Sequence, residues 1–332
     1  MSSSGCNELS NDLNYSRWCI LKDCNSLSPA LIIILTSLTS VICVIGALGN
    51  ALVVVVIYRI NLMHKGASIL MASLAIIDFL IMIFNFPLWL TVLLQSRWTL
   101  GSSFCTFTAF SNTFLSFNSA LFVAVISIDR CYAVSLPLKY ERKITPSIIF
   151  AVIGCLVIFS SILSILPLVG FGYYDFVPSY GHCFFRKLNK DIRYEAMVVT
   201  MCYYIPSIII CLSYYKIFTT AKGHTRVVHC DENCCYLVWN TGAKNKLTRT
   251  VLFVVGIFFT CWLLFFVAEA MRLTSFDCIS HVITLLSRWL VYTNSALNPI
   301  IYGTTNKKFR SGFIKVLTTT LHALPCSKYH NN

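Results

Sequence analysis

The sequence predicts an all-α membrane protein, a bundle of seven transmembrane helices followed by a short amphipathic eighth helix. Of its 332 residues 57% are hydrophobic and only 12% are charged, whereas soluble domains carry about 25% charged residues. The apolar residues fall into seven stretches, each near the roughly 20 residues with which a helix crosses a bilayer. Gly, Pro, Ser and Thr inside these stretches are typical of packed membrane helices and argue against a barrel.

The seven stretches, here called spans one to seven, are separated by short polar links that leave no room for a soluble domain. We therefore expect four regions: an extracellular tail over 1–30, the seven-span domain over 31–303, an amphipathic membrane-surface helix over 304–318 and a cytoplasmic tail over 319–332. The surface helix is expected because basic and apolar residues alternate at helical spacing there. In chain order the spans are Leu31–Tyr58, Ala67–Leu94, Phe104–Ser135, Ile148–Phe171, Tyr194–Thr219, Thr248–Met271 and Val282–Tyr302.

The first tail is polar and lacks the continuous apolar core of a cleaved signal peptide, so span one is expected to direct insertion. With the N-terminus outside, 17 of the 26 Lys and Arg residues lie on the inner side and 9 on the outer side, as the positive-inside rule requires. This bias accounts for the net charge of +13 without a nucleic-acid partner. It also makes Asn14, in the sequon Asn14-Tyr15-Ser16, a candidate glycosylation site.

Cysteines at the ends of the spans or beyond them carry separate expectations. Cys105 at the outer start of span three and Cys183 in the outer loop after span four lie in an oxidising compartment, which favours a disulfide between them. Cys24 and Cys278 are candidates for a second bridge, which the sequence leaves open because connectivity cannot be deduced from it. Cys326 follows the basic amphipathic segment and is a palmitoylation candidate.

Five motifs fall in order along the spans, and together they carry a resemblance to a known family. From about Leu31 to Lys315 the chain resembles the rhodopsin-like (class A) G-protein-coupled receptors, which implies a plasma-membrane receptor that acts on heterotrimeric G proteins. The motifs are Gly49-Asn50, Leu74-Ala75-Ile76-Ile77-Asp78, Trp98-Thr99-Leu100-Gly101 before Cys105, Asp129-Arg130-Cys131 and Asn298-Pro299-Ile300-Ile301-Tyr302.

Charged residues inside a membrane are costly, so Asp78 in span two is a candidate functional group. The resemblance implies that Asp78 is the metal ligand of an allosteric sodium site, and it implies no other cofactor. The alternative is a protonated Asp78 in a polar network. The implied sodium site comprises Asn50, Asp78, Ser119, Asn294 and Asn298.

The resemblance also implies an activation and G-protein coupling machinery at the inner half of the bundle. Asp129 is expected to hold Arg130, which on activation is released toward the G protein beside Tyr214 and Tyr302. The alternative for Arg130 is a snorkelling membrane anchor. The implied set is Asp129, Arg130, Leu138, Tyr214, Phe258, Trp262, Asn298, Pro299 and Tyr302.

Three positions depart from the family pattern. Leu264 replaces a proline after Trp262, so the usual cause of a kink in span six is missing, and Val157 replaces a tryptophan. Lys244 stands where some members carry an acid that pairs with Arg130, and a like charge cannot form that pair. We therefore expect basal signalling. Leu264 and Val157 also keep open a receptor-like scaffold that folds without signalling.

The resemblance further implies a ligand pocket at the outer half of the bundle. Amine receptors of the family carry an aspartate where this chain has Asn112, and opsins carry the retinal lysine where it has Tyr292, so neither a typical amine nor retinal is expected. Arg288 either binds an acidic ligand or pairs with Glu269. The implied pocket residues are Asn112, Thr113, Ser116, Glu195, Phe265, Phe266, Glu269, Arg288 and Tyr292.

The aromatic outer loop Tyr173–Tyr180 is open to three interpretations, a lid, a built-in agonist or a solvated loop. The sequence of Ser127–Val134 resembles that of orphan receptors with high basal activity. This resemblance favours a stimulatory G protein as the partner. Arrestins and receptor kinases are further expected partners. A channel or transporter is the rival class, but inverted repeats and a charged pore are missing. No enzyme is expected, because the sequence holds no HExxH motif, phosphate loop or nucleophile elbow.

Overall fold

A computed structural model gives the architecture of the chain. It describes residues 29–61, 66–95, 97–177, 181–186, 193–224, 226–231, 234–239, 256–271, 281–305 and 307–323. For 195, 202, 221–224, the segments 226–231 and 234–239, and 281, 305, 307–308 and 320–323, the description covers the backbone alone.

All seven predicted spans are helical in their described parts, which confirms the predicted fold class. Spans one to four are long and apolar enough to cross a membrane by length and composition. The described part of span six is shorter, and the beginning of its prediction, 248–255, lies outside the described residues. The helices are Pro29–Arg59, Gly66–Gln95, Ser102–Ser135, Pro146–Ile165 with a 3₁₀ turn Leu166–Val169, Arg193–Val199 continuing through Thr200–Tyr204 into Ile205–His224, Gly256–Met271, and His281–Thr305.

Two spans widen by a π-turn just before a proline. In span two the turn Ile81–Asn85 precedes Pro87, and in span five the turn Thr200–Tyr204 precedes Pro206. A proline has no N–H to give to the carbonyl four residues earlier, and its ring crowds that carbonyl. The wider turn accommodates this loss, because π-turns pair residues five apart.

The links between spans hold more structure than the sequence predicts. The polar link Leu136–Pro146 contains a short helix, Pro137–Lys143, here called the loop helix. Strands β1 (Tyr173–Val177) and β2 (His182–Arg186) form an antiparallel hairpin, as do β3 (Arg226–Asp231) and β4 (Cys234–Trp239). These hairpins are the exceptions to the all-α expectation.

The surface helix follows span seven directly. It runs over Lys307–Ala323, so it begins three residues later and ends five residues later than the predicted range 304–318. Part of the predicted cytoplasmic tail is therefore helical. The buried ring of Phe309 stacks near Tyr302 of span seven, with ring centroids 5.9 Å apart, and this contact fixes the helix against the bundle.

Span three is the central helix of the bundle. It packs against spans two, four and five and beneath the β1–β2 hairpin. The opposite faces of the peripheral helices present apolar side chains such as Ile33, Ile158 and Leu212 to their surroundings. In a bilayer these faces contact lipid, which is why apolar residues lie on both the inside and the outside of the bundle.

The β1–β2 hairpin, here called the outer hairpin, closes one end of the bundle, and this end is called the outer end. The predicted disulfide Cys105–Cys183 is present and joins the hairpin to span three, with the two Cα atoms 5.4 Å apart. The Tyr174 hydroxyl donates to the carbonyl of Ser164 in span four at 2.9 Å. These two attachments hold the hairpin over the bundle, so the described part of the loop, Tyr173–Val177, is packed against the protein and is not the solvated segment that one interpretation predicted.

Gly46 tests how tightly spans one, two and seven pack. A Cβ at Gly46 would lie 2.6 Å from the sulfur of Met82 and 2.8 Å from Cβ of Ala296. We expect Gly46→Ala to destabilise the protein by about 1–3 kcal/mol, because a packed core tolerates an added methyl poorly. The matched control is Gly154→Ala, since nothing lies within 4 Å of a Cβ there. Thermal unfolding of the two purified variants checks this, and equal melting temperatures would contradict it.

Candidate functional site

Asp78 is the centre of a buried polar cluster in the middle of the bundle. Its carboxylate accepts hydrogen bonds from the Ser119 hydroxyl at 2.9 Å and from the Asn298 amide at 2.6 Å. The Ser295 hydroxyl also lies close to the carboxylate. Asp78 is 0% exposed. A carboxylate with two hydroxyl oxygens beside it is a donor set that suits a hard cation, so these residues fit sodium.

The cluster differs from the predicted sodium set in two members. The Asn50 amide donates to the carbonyls of Gly46 and Ser295, at 2.9 Å and 3.1 Å, so it ties span one to span seven. Asn294 is buried, but the hydrogen bonds that Asp78 accepts come from Ser119 and Asn298. Ser295 was missed. Its spacing of three residues from Asn298 places both on one helix face, and this was the signal in the sequence.

Arg130 is held at the inner end by its predicted neighbour. Its Nε donates to Asp129 Oδ2 at 3.0 Å, and its Nη2 bonds the same oxygen. The side chain of Asp129 is 5% exposed and that of Arg130 is 42% exposed. The pair therefore joins a buried acid to a base that reaches the inner surface.

Tyr140 on the loop helix completes this pair and was missed by the sequence analysis. Its hydroxyl donates to Asp129 Oδ1 at 2.8 Å and accepts from Arg130 Nη2 at 3.5 Å. Burial, together with the bond to the Asp129 carboxylate, raises the pKa of Tyr140 to about 12, so the phenol keeps its proton. The loop helix itself was not predicted, and without it nothing in the sequence brings Tyr140 to Asp129.

The remaining inner residues take up separate positions. Leu138 on the loop helix is 87% exposed, whereas Tyr214 is buried between the spans. Pro299 lies against Gly49, where an added Cβ would meet the proline ring at 3.1 Å. Lys244 lies in a stretch that the structure does not describe.

Trp262 lies at the base of the outer half within a cluster of aromatic rings. Its ring centroid is 4.9 Å from that of Tyr203 and 5.8 Å from that of Phe258. The helix Gly256–Met271 continues regularly through Leu264, as expected where the proline is missing.

Arg288 and Glu269 form a buried ion pair in the outer half. Arg288 Nη2 lies 2.7 Å from Glu269 Oε1, and the two side chains are 6% and 4% exposed. The guanidinium also lies 4.3 Å from the ring centre of Phe184 and 4.4 Å from that of Phe265. Of the two arrangements considered for Arg288, the structure contains the ion pair with Glu269.

Asn112 belongs to a hydrogen-bonded chain that joins three spans. Its Oδ1 accepts from the Tyr292 hydroxyl at 2.8 Å and from the Asn85 amide at 3.4 Å. Asn112 is therefore satisfied by neutral partners. At this position the chain offers no anion to a protonated amine.

The outer hairpin fills much of the predicted pocket. Phe184 rests on Arg288, and the ring of His182 lies 6.3 Å from that of Tyr292. Three of the cavities between the described side chains of this region have room for about one water molecule each. Of the other predicted pocket residues, Thr113, Ser116, Phe265 and Tyr292 line these cavities, and Phe266 packs beside Tyr204.

Several predicted positions lie outside the described residues. They are Asn14, Cys24, Cys278 and Cys326, together with the side chain of Glu195, for which the backbone alone is described.

We expect Glu269→Gln to destabilise the protein by about 3–5 kcal/mol, because it leaves the Arg288 cation buried without its anion. The double variant Glu269→Leu with Arg288→Met removes both charges and recovers part of this loss. Asp175→Asn is the matched control, since the Asp175–Arg186 pair is 49% and 45% exposed and is worth less than about 1 kcal/mol. Unfolding of the purified variants checks this, and equal losses in Glu269→Gln and Asp175→Asn would contradict it.

A protein-family model matches most of the helical bundle. The model of the family described as 7 transmembrane receptor (rhodopsin family) matches residues 49–302, which include Asp78, Arg130 and Trp262.

Individual relatives share under a third of their aligned residues with this chain, but the alignments cover most of each relative's length. The chain is 29% identical to the histamine H2 receptor of Canis lupus familiaris, over 86% of this chain and 80% of the relative. It is 28% identical to the 5-hydroxytryptamine receptor 4 of Cavia porcellus, over 86% and 79%. It is 28% identical to the octopamine receptor beta-2R of Chilo suppressalis, over 85% and 79%. The chain therefore belongs to the rhodopsin family of seven-transmembrane receptors, and it is a multi-pass membrane protein that signals through heterotrimeric G proteins.

Proposed function

We propose that this receptor signals without a diffusible ligand, with the outer hairpin as a built-in agonist and a stimulatory G protein as its partner. The observation that carries the proposal is the contact of Phe184 with Arg288 inside the bundle, at 4.3 Å. A side chain of the receptor itself thus occupies the place in which a ligand would meet Arg288. Because the Cys105–Cys183 disulfide tethers the hairpin, its local concentration at this place is high.

Phe184 is connected to the aromatic cluster through Arg288. The guanidinium also contacts Phe265, whose ring centroid is 5.9 Å from that of Trp262. Packed side chains with few voids transmit displacements. A change at the hairpin therefore has a contiguous route to Trp262 in span six.

The relatives' names refer to histamine, 5-hydroxytryptamine and octopamine, yet this receptor is proposed not to bind a typical amine. Asn112 is neutral and engaged by Tyr292 and Asn85. An ammonium ion brought into a buried site without an anion carries a large desolvation cost. The small cavities around Asn112 add a steric reason.

The inner end supports coupling and basal activity. In the described part of the chain, Arg130 is restrained by Asp129 and Tyr140, both on its own side of the bundle. Lys244 in the third inner loop has the wrong sign to add an anion to this restraint. The exposed Leu138 offers an apolar side chain to the G protein, an arrangement that suits the proposed stimulatory partner.

Further parts of the proposal concern the surroundings of the receptor. Asp78 with Ser119, Ser295 and Asn298 is proposed to bind sodium as an allosteric ion. The N-terminus is proposed to be extracellular, with a glycan on Asn14, and Cys326 is proposed to be palmitoylated. Arrestins and receptor kinases are proposed as additional inner partners, because the basic residues of the seven-span domain concentrate on that side.

We expect cells that express this receptor to show G-protein activation without added ligand, and we expect Arg130→Ala to abolish it. Phe184→Ala is expected to lower it severalfold, because the proposed agonist side chain is removed while the hairpin stays tethered. Tyr173→Ala is the matched hairpin control, since Tyr173 is an exposed aromatic at the hairpin edge. Activation of each G-protein subtype is measured at equal surface level. Silence of the wild type would contradict ligand-free signalling and favour a receptor that requires a diffusible ligand.

Tyr140→Phe is expected to raise ligand-free activation, because it removes the hydroxyl that joins Asp129 and Arg130 but keeps the ring. Such a hydrogen bond to a charged group is worth about 1.5–3 kcal/mol, which corresponds to more than about a tenfold change in the restraint. Tyr132→Phe is the control, because the ring of Tyr132 makes an edge contact with that of Tyr140, with centroids 6.0 Å apart, and this contact does not need the Tyr132 hydroxyl. An unchanged signal in Tyr140→Phe would show that its hydroxyl does not restrain Arg130.

A further inference from the structure

His182 of the outer hairpin is a buried titratable group next to a buried cation. It is 6% exposed, and its ring makes edge contacts with Phe184 at 5.6 Å and with Tyr292 at 6.3 Å between centroids. Phe184 in turn lies on the Arg288 guanidinium. An imidazole that gained a proton here would therefore add a second positive charge to the ion-pair site.

The described groups that share a cavity or a ring contact with His182 are uncharged. Among the described residues, span two contributes Trp89 and Asn85 to the same cavity, and span three contributes Thr108 and Asn112, all of them uncharged. Span seven contributes Arg288, whose charge acts on His182, and the phenol of Tyr292. The nearby carboxylate, Glu269 of span six, is already bonded to Arg288.

We propose that this receptor senses extracellular protons through His182: protonation of the buried imidazole repels Arg288 and releases the outer hairpin from its seat on that residue. The effect on signalling rests on the proposed function, in which the seated hairpin is the agonist. Under that proposal, extracellular acid lowers ligand-free activation.

The direction of the response follows from linkage. Burial, and next the charge of Arg288, hold the pKa of His182 well below its ordinary value of 6.5 while the hairpin is seated. A released, hydrated hairpin restores the ordinary value, so the released form takes up protons first. The form with the hairpin bound at Arg288 is therefore favoured above about pH 6.5, and its population falls as the pH drops below that value. One pH unit below that value the ratio of seated to released hairpin drops about tenfold.

A small cavity gives protons a route to the imidazole. His182 forms part of its wall together with Trp98, Asn85 and Tyr292, and it has room for about one water molecule. A single water in hydrogen-bond contact with the imidazole is enough to deliver a proton.

The test compares the wild type with His182→Gln, which keeps a neutral polar side chain of similar length and cannot gain a charge. His281→Gln is the matched control, because His281 begins span seven at the same outer end. Thermal unfolding of the purified receptors is measured at about pH 7.5 and about pH 5.5. We expect the wild type and His281→Gln to lose more stability on acidification than His182→Gln does, by an amount equivalent to about a tenfold change in the equilibrium.

The second readout is ligand-free G-protein activation in cells whose external medium is shifted over the same range while the internal pH is clamped. We expect it to fall severalfold in the wild type and in His281→Gln and to stay level in His182→Gln. Equal acid responses of the wild type and His182→Gln in unfolding would overturn the proposal. An unfolding difference in receptors that are silent at neutral pH would support the proton site and refute the built-in agonist.

A second variant keeps His182 and changes its surroundings. Glu269→Leu with Arg288→Met removes the cation that opposes protonation but leaves the imidazole buried, so we expect the loss of stability with acid to level off at a higher pH than in the wild type. A loss that continues to the same low pH as in the wild type would show that Arg288 does not oppose the proton on His182, and this too would overturn the proposal.

Discussion

The interior of a bilayer supplies no hydrogen-bond partners, so the polar groups within the spans must satisfy one another. Three buried clusters follow from this constraint. Asp78 is paired through Ser119, Ser295 and Asn298, and Asn112 through Tyr292 and Asn85. The third cluster is the ion pair of Arg288 with Glu269. Each cluster joins different spans, so the same bonds that satisfy polar groups also fix the arrangement of the helices.

The two ends of the bundle differ in how far their charged groups are covered by the protein. At the outer end, the disulfide and the Tyr174 hydroxyl bring a hairpin of the chain onto Arg288, so the place of a ligand is partly occupied by the protein itself. At the inner end, Asp129 lies buried and Arg130 reaches the surface, which leaves the cation accessible once its restraint is lost. Between these ends, packed aromatic rings around Trp262 are contiguous from Phe265 to Phe258.

Much of the inner machinery was accessible from sequence because its partners are close in the chain or lie in recognisable motifs. Asp129 and Arg130 are neighbours, and their contact needs only a helix. Tyr140 was missed because its contact with Asp129 depends on the loop helix, and the polar composition of the link Leu136–Pro146 did not predict a helix there. Ser295 and Asn294 are adjacent, and which of them contacts Asp78 depends on the rotation of span seven, which packing decides. The extension of the surface helix to Ala323 was missed for a similar reason, since Thr318 and Thr319 are poor helix formers by themselves.

The sequence by itself determined the number of spans, the identity of the family and the Cys105–Cys183 pair, because apolar length, ordered motifs and redox compartment are local or compositional properties. Tertiary structure alone decided between the alternatives for Arg288, because the choice between a ligand and Glu269 depends on how spans six and seven face each other. It also decided that Tyr173–Val177 pairs with His182–Arg186 in a hairpin over the bundle, which places Phe184 on Arg288. Contacts between residues far apart in the chain are set by packing, and no local pattern encodes them.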